Sequence, residues 1–214
     1  MSIQTETELE ALRKIGAIVA NCLQFMGQNL EPGMTTFELD QMGAAYLHRQ
    51  GAQSAPKLVY GFPGATCISV NEEAAHGIPG QRRICAGDLV NIDVSAELGG
   101  FFADTGGSFI VPPASDLKTH LCQATERALK RAMNIVRAGC KINVIGKAIS
   151  AEAKDNGLTV IENLGSHGVG RALHEAPDFI PGYFDRNDRR ILTKNQVITI
   201  EPFLSTGASE VFDK

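Results

Sequence analysis

Apolar positions along the chain recur with two different periods. Leu12, Ile15, Val19, Cys22 and Met26 are three or four residues apart, which predicts an amphipathic helix. Gly33 breaks the pattern. Thr35 with Glu38 makes a capping-box pair that opens a second helix, with Leu39, Met42 and Tyr46 on one face and Gly51 at its end. Further on, Leu121, Ala124, Ala128, Ala132 and Ile135 mark a long helix, and Gly139 interrupts. Ile145, Ala148 and Ile149 carry the next helix, which Gly157 closes. The stretches Leu89–Ala96 and Phe101–Val111 are β-type and flank Glu97-Leu98-Gly99-Gly100, a hairpin signal.

These elements repeat. Gly33 and Gly139, Leu39 and Ile145, and Gly51 and Gly157 all share an offset of 106 residues. Val90-Asn91-Ile92-Asp93 matches Ile198-Thr199-Ile200-Glu201 at an offset of 108. Both halves read helix, helix, strands. The expected fold class is therefore α+β: a pseudo-twofold duplicated unit with a curved, mostly antiparallel sheet covered by helices on one side.

Composition narrows the function classes. Of the 214 residues, 43% are hydrophobic and 21% charged, as in an ordinary globular domain with a sizeable core. A net charge of -4 gives no reason to expect nucleic-acid binding. No apolar run reaches membrane-spanning length, and the polar, acidic start is unlike a signal peptide. The five cysteines are scattered without a CxxC pair, which fits reduced thiols and a cytoplasmic location.

Both matched β-type runs end in an acid, Asp93 and Glu201, and Asp104 follows across the hairpin turn. With the turn centred between Leu98 and Gly99, Asp93 would lie directly opposite Asp104, and the two carboxylates would repel unless a proton or a cation intervened. His167 sits between Ser166 and Gly168, where the backbone can approach a neighbour closely, and His174 follows seven residues on. His76 also precedes a glycine, whereas His48 and His120 lie in helical stretches among polar neighbours and read as surface residues. Several carboxylates with one His form an oxygen-rich set that favours Mn²⁺, Fe²⁺ or Co²⁺ over a closed thiolate zinc site. A carboxylate able to bridge points to two ions, about 3.5–4 Å apart in such hydrolases.

Taken in order, these residues are recognisable. Cys67-Ile68-Ser69-Val70-Asn71-Glu72 leads to His76-Gly77-Ile78-Pro79. Then come Val90-Asn91-Ile92-Asp93-Val94, Asp104-Thr105, His167-Gly168-Val169-Gly170-Arg171 with His174-Glu175, and Ile200-Glu201-Pro202. From about Leu9 onward the chain resembles the bacterial type I methionine aminopeptidases, which have the pita-bread fold. The resemblance implies that Asp93, Asp104, His167 and Glu201 ligate metal, with Asp104 bridging. It implies that His76 and His174 are catalytic residues contacting the substrate. It also implies that Tyr60, Phe62, Cys67 and Leu173 line the methionine side-chain pocket. The implied reaction is removal of the N-terminal methionine from nascent proteins. An Xaa-Pro peptidase or a non-catalytic binding protein on the same fold are the alternatives.

The chain departs from the family pattern at Ser166, usually Gly, and at Gly182, usually Asn or His. The family also has a bridging Glu in a Gln-x-Glu-His stretch some tens of residues beyond Glu201, and no such stretch precedes Lys214. The expectation is thus one catalytic domain over 1–214, C-terminally incomplete relative to the family. Of the family's two divalent ions it would hold one tightly, with reduced activity. The complete family form is expected to be a monomer, with self-association here through an open sheet edge.

Overall fold

The structure, a computed structural model, describes residues 1–212. The chain divides into two compact units. One comprises Thr5–Ser115 and Val169–Leu173; the other comprises Met1–Gln4, Asp116–Gly168 and the chain from His174 onward.

The first unit contains α1 (Glu6–Gln28), α2 (Thr36–Arg49), β1 (Gln53–Ser54), α3 (Ala55–Tyr60), β2 (Cys67–Val70), β3 (Leu89–Leu98) and β4 (Phe101–Ile110). In α1 the predicted stripe is buried at Ile15, Val19, Cys22 and Met26 and partly buried at Leu12, and Ile18, which the spacing did not include, is buried with it. The helix packs on β3 and β4. Burial pushes the Cys22 thiol up to about 12, so it packs as a small apolar group. Of the five free cysteines only Cys85, in the loop before β3, is exposed. The capping box of α2 is formed: the Glu38 amide donates to Thr35 Oγ1 at 3.1 Å, and the Thr35 amide donates to Glu38 Oε2 at 2.7 Å. β3 is the centre of a four-stranded sheet. β1 and β2 pair with it antiparallel, as does β4.

The β3–β4 hairpin differs from expectation by one residue in its turn. Leu98 pairs with Phe101, leaving Gly99 and Gly100 as the loop, with φ of 62° and 83°. Two positive φ values make a type I′ turn, which matches the twist of the strands and which two glycines adopt without strain. Asp93 consequently pairs with Gly106, and Asp104 pairs with Ser95. The two acids are diagonal neighbours rather than direct partners. They still share a face, because Asp93 and Ser95 are two residues apart on one strand.

The second unit contains α4 (Asp116–Ile135), α5 (Val144–Asp155), β5 (Thr159–Val160), β6 (Gly165–Gly168), β7 (Glu175–Pro181) and β8 (Leu204–Ser205). Its core joins Ala128 and Ala132 of α4, Ile145 and Ile149 of α5, Ile142, and Ile180 of β7. Gly146 lets α5 press onto backbone: a Cβ there would fall on the carbonyl oxygen of Tyr183, with that of Pro181 also inside contact distance. Gly146→Ala should therefore cost about 1–3 kcal/mol, the usual range for overpacking. Gly16→Ala on α1 meets nothing within 4 Å, so it should add up to about 1 kcal/mol through helix propensity. Urea melts of both variants check the pair. Equal midpoints would contradict this account of Gly146.

The two units repeat the same local structure. Gly33 (φ +96°) donates its amide to the Ile84 carbonyl at 2.7 Å; Gly139 (φ +88°) donates to Leu192 at 2.7 Å. Gly51 and Gly157 have φ of +73° and +66°. After each, the amide of Ala52 or Leu158 returns to the carbonyl of Leu47 or Ala153. β1 pairs with the end of β3 as β5 pairs with β8.

The strands of the second unit are antiparallel. Among the described residues they form two separate pairs, β5–β8 and β6–β7. Ile198–Glu201 is not a regular ladder strand. It touches β6 through one bridge, Gly168 with Ile198, and otherwise through the hydroxyls of Ser166 and Thr199. Side-chain oxygens take the place of ladder carbonyls there. Among the described residues no helix is long and apolar enough to cross a membrane.

Candidate metal centre

In the first unit the two acids stand on a sheet face that other groups hold in place. Cys67 pairs with Asp93 across β2 and β3, so its side chain shares the acids' face. Burial, followed by the negative charges of Asp93, Asp104 and Asp40, pushes the Cys67 thiol far up. It therefore stays neutral and presents sulfur as an apolar surface. Asp40 is 1% exposed. Its Oδ1 accepts from the amides of Ala65 and Thr66 at 2.8 Å each and from Thr66 Oγ1 at 2.9 Å, which anchors the chain entering β2. Two same-face carboxylates in this setting repel, and a cation resolves that cost.

His76 lies in the loop that leaves β2. Its backbone is left-handed, φ 56°, a region that non-glycine residues seldom enter but that histidine, like Asn and Asp, enters more readily than most. Gly77 explains how it is held. The Gly77 carbonyl accepts from the Ile68 amide at 2.9 Å, and the Gly77 amide donates to Ser69 Oγ at 3.0 Å. A Cβ on Gly77 would fall on the Ile68 carbonyl. The loop is thus folded flat against β2, and the exposed His76 imidazole is carried at its turn. Of the four pocket candidates, Tyr60 ends α3 and is 60% exposed, Phe62 is half-buried, and Cys67 and Leu173 are buried.

In the second unit His167 lies on β6, 5% exposed. The two glycines at the ends of β6 admit β7: a Cβ on Gly168 would be 2.5 Å from the carbonyl oxygens of Glu175 and Ala176, and one on Gly165 would be 2.6 Å from that of Ile180. His167 Nδ1 is 2.9 Å from the Gly168 carbonyl. A carbonyl only accepts, so Nδ1 carries the hydrogen and Nε2 is left with its lone pair, the arrangement of a ligating histidine. Nε2 faces Glu201 Oε1 at 3.2 Å. A lone pair facing a carboxylate is unfavourable unless a proton or a cation joins them, so the pair fits a divalent ion. The His174 ring lies beside that of His167, with centroids 4.1 Å apart.

Two residues belong to this cluster that the sequence had not singled out as parts of the site. Thr199 Oγ1 accepts the His167 amide at 2.9 Å and donates to Glu201 Oε1 at 2.5 Å. Ser166 Oγ accepts the Glu201 amide at 2.8 Å. Thr199 was legible as the residue two before Glu201 on the same face of an extended run. Ser166 was visible only as a departure from glycine.

Residues 10–212 match metallopeptidase family M24. The methionine aminopeptidase of Staphylococcus epidermidis is 50% identical over 212 residues, covering 99% of this chain and 84% of that protein. Methionine aminopeptidase 2 of Bacillus subtilis is 48% identical over 214 residues, covering 100% of this chain and 86% of that protein. The crystal structure of the methionine aminopeptidase from Thermotoga maritima superposes with a TM-score of 0.95 at 31% identity, covering 100% of this chain and 86% of that one. The fold is the pita-bread α+β fold that the resemblance implied. With acids at matched positions of both units and a buried histidine turned toward one of them, the chain belongs to metallopeptidase family M24, among its methionine aminopeptidases.

Proposed function

We propose that this chain hydrolyses the first peptide bond of newly made proteins that begin with methionine. The near full-length identity to methionine aminopeptidases carries the reading. The chemistry of the two ligand sets supports it. Asp93 and Asp104 from one unit, with His167 and Glu201 from the other, would hold Mn²⁺, Fe²⁺ or Co²⁺, with Asp104 serving both positions of a two-ion centre. Such a centre supplies Lewis acidity and a water deprotonated near neutral pH.

The remaining work falls to side chains. His174, beside His167, would donate a hydrogen bond to the oxygen of the scissile carbonyl as negative charge develops there. His76, on its left-handed turn, would hold the substrate backbone. Tyr60, Phe62, Cys67 and Leu173 would enclose the unbranched thioether of methionine, with Cys67 kept as a neutral thiol. The protein would act in the cytoplasm, where its free cysteines remain reduced.

The test is release of free methionine from Met-Ala-Ser, compared with leucine from Leu-Ala-Ser. Methionine should be released in Mn²⁺ or Co²⁺, stop with EDTA and resume on metal return, while leucine release stays far lower. Equal rates on the two peptides would remove the pocket assignment. No release in any metal would remove the reading itself.

A further inference from the structure

We infer that Ser166 and Thr199 are positioning residues that preset His167 and Glu201 for the ion, an inference that rests on the metallopeptidase reading above. Both hydroxyls are buried, at 1% and 8% exposure. A ladder of backbone bonds would ordinarily align a strand bearing Glu201 with β6. Here the two segments share a single bridge, between Gly168 and Ile198, beside which the Thr199 amide donates to the His167 carbonyl at 2.8 Å. The amide of His167 goes to Thr199 Oγ1, and that of Glu201 goes to Ser166 Oγ. Two side-chain oxygens therefore set the spacing between the two ligand-bearing segments.

Thr199 does more than replace a ladder bond. Having accepted the His167 amide, it has one hydrogen to give, and it gives it to Glu201 Oε1. That bond selects the rotation of the carboxylate. The same oxygen faces His167 Nε2. One hydroxyl thus orients both ligand side chains: one through its backbone, the other through its carboxylate. Hydrogen bonds of this kind around metal ligands typically contribute about 10–100-fold to metal affinity. Ser166 acts on backbone alone. Its hydroxyl oxygen accepts the Glu201 amide at 2.8 Å and fixes the segment that carries the carboxylate.

The test uses the full chain and Co²⁺ or Mn²⁺ alone, read by titration calorimetry, with Co²⁺ absorption as a signature of ligand geometry. Thr199→Val should weaken binding about 10–100-fold and alter the Co²⁺ spectrum, while Thr199→Ser restores both. Ser166→Ala should lose about tenfold, at the low end of that range, and Ser166→Gly should behave like Ser166→Ala. Circular dichroism confirms that each variant is folded. Should Thr199→Val fail to fold, the Ser166 pair decides alone. Unchanged affinity and spectrum in the folded variants would overturn the inference while leaving the metallopeptidase reading intact. A parent chain that takes up neither ion would overturn both.

Discussion

Asp104→Asn should lower kcat/KM on Met-Ala-Ser by about a thousandfold or more. Asparagine keeps the size of the side chain and much of its hydrogen bonding but removes the charge. Asp104 is the ligand proposed to serve both ions, so its charge is felt at each. Lewis-acid catalysis of this kind contributes several kcal/mol, and each 1.36 kcal/mol is about tenfold in rate. The same substitution should not weaken the ion-free protein. Asp93 and Asp104 stand on one face of the hairpin, at diagonal register, and repel each other when no cation is bound. Removing one charge should leave the ion-free Tm unchanged or raise it. Steady-state kinetics, metal content and melting of the chelator-treated protein measure all three. A variant that keeps activity within tenfold of the parent would exclude Asp104 from the centre. One that loses activity together with ion-free stability would mark Asp104 as structural.

His174→Ala should lower kcat on Met-Ala-Ser by about 10²–10³-fold, the usual cost of losing a donor to a developing oxyanion, with a smaller change in KM. The His174 ring lies 4.1 Å from that of His167 but is itself exposed. Its loss therefore removes no core packing, and the fold should persist. Because such a donor acts on charge that appears only in the transition state, kcat and kcat/KM should fall together. His76→Ala should differ. A group that holds the substrate backbone in ground and transition states alike raises KM more than it lowers kcat. Metal content should be unchanged in both. If His174→Ala raised KM alone, the two histidines would exchange roles.

Much of this architecture is readable from local pattern. The buried stripe of α1 and the capping box of α2 follow from residue spacing, and the matched glycines announce the duplication because a left-handed turn admits few other residues. What pattern did not settle was register. Glu97-Leu98-Gly99-Gly100 offers two turn centres one residue apart, and the choice moves the partner of Asp93 from Asp104 to Gly106. Nor did pattern separate a strand from an extended segment. Ile198–Glu201 alternates like a ladder strand, yet its bonds to β6 run largely through hydroxyls, which no periodicity encodes. The short helix α3 was missed although Ser54 caps it and Pro56 stands in its first turn; six residues are too few for an apolar stripe. The acids among the candidate ligands were legible because acids inside β-type runs are costly without a partner. Their support was not, since Thr and Ser cost little anywhere.

The lone exposed thiol bears on how the protein behaves at the bench. Cys85 is open to solvent while Cys22 and Cys67 are buried. In air, Cys85 is the thiol most accessible to oxidised partners, and its disulfide would join two chains through the loop before β3. The product would run as a dimer on any sizing column, with no bearing on association through surfaces or sheet edges. Subunit counting on this molecule therefore belongs in fresh reductant or on Cys85→Ser, and a dimer that disappears under either treatment is a disulfide artefact of storage.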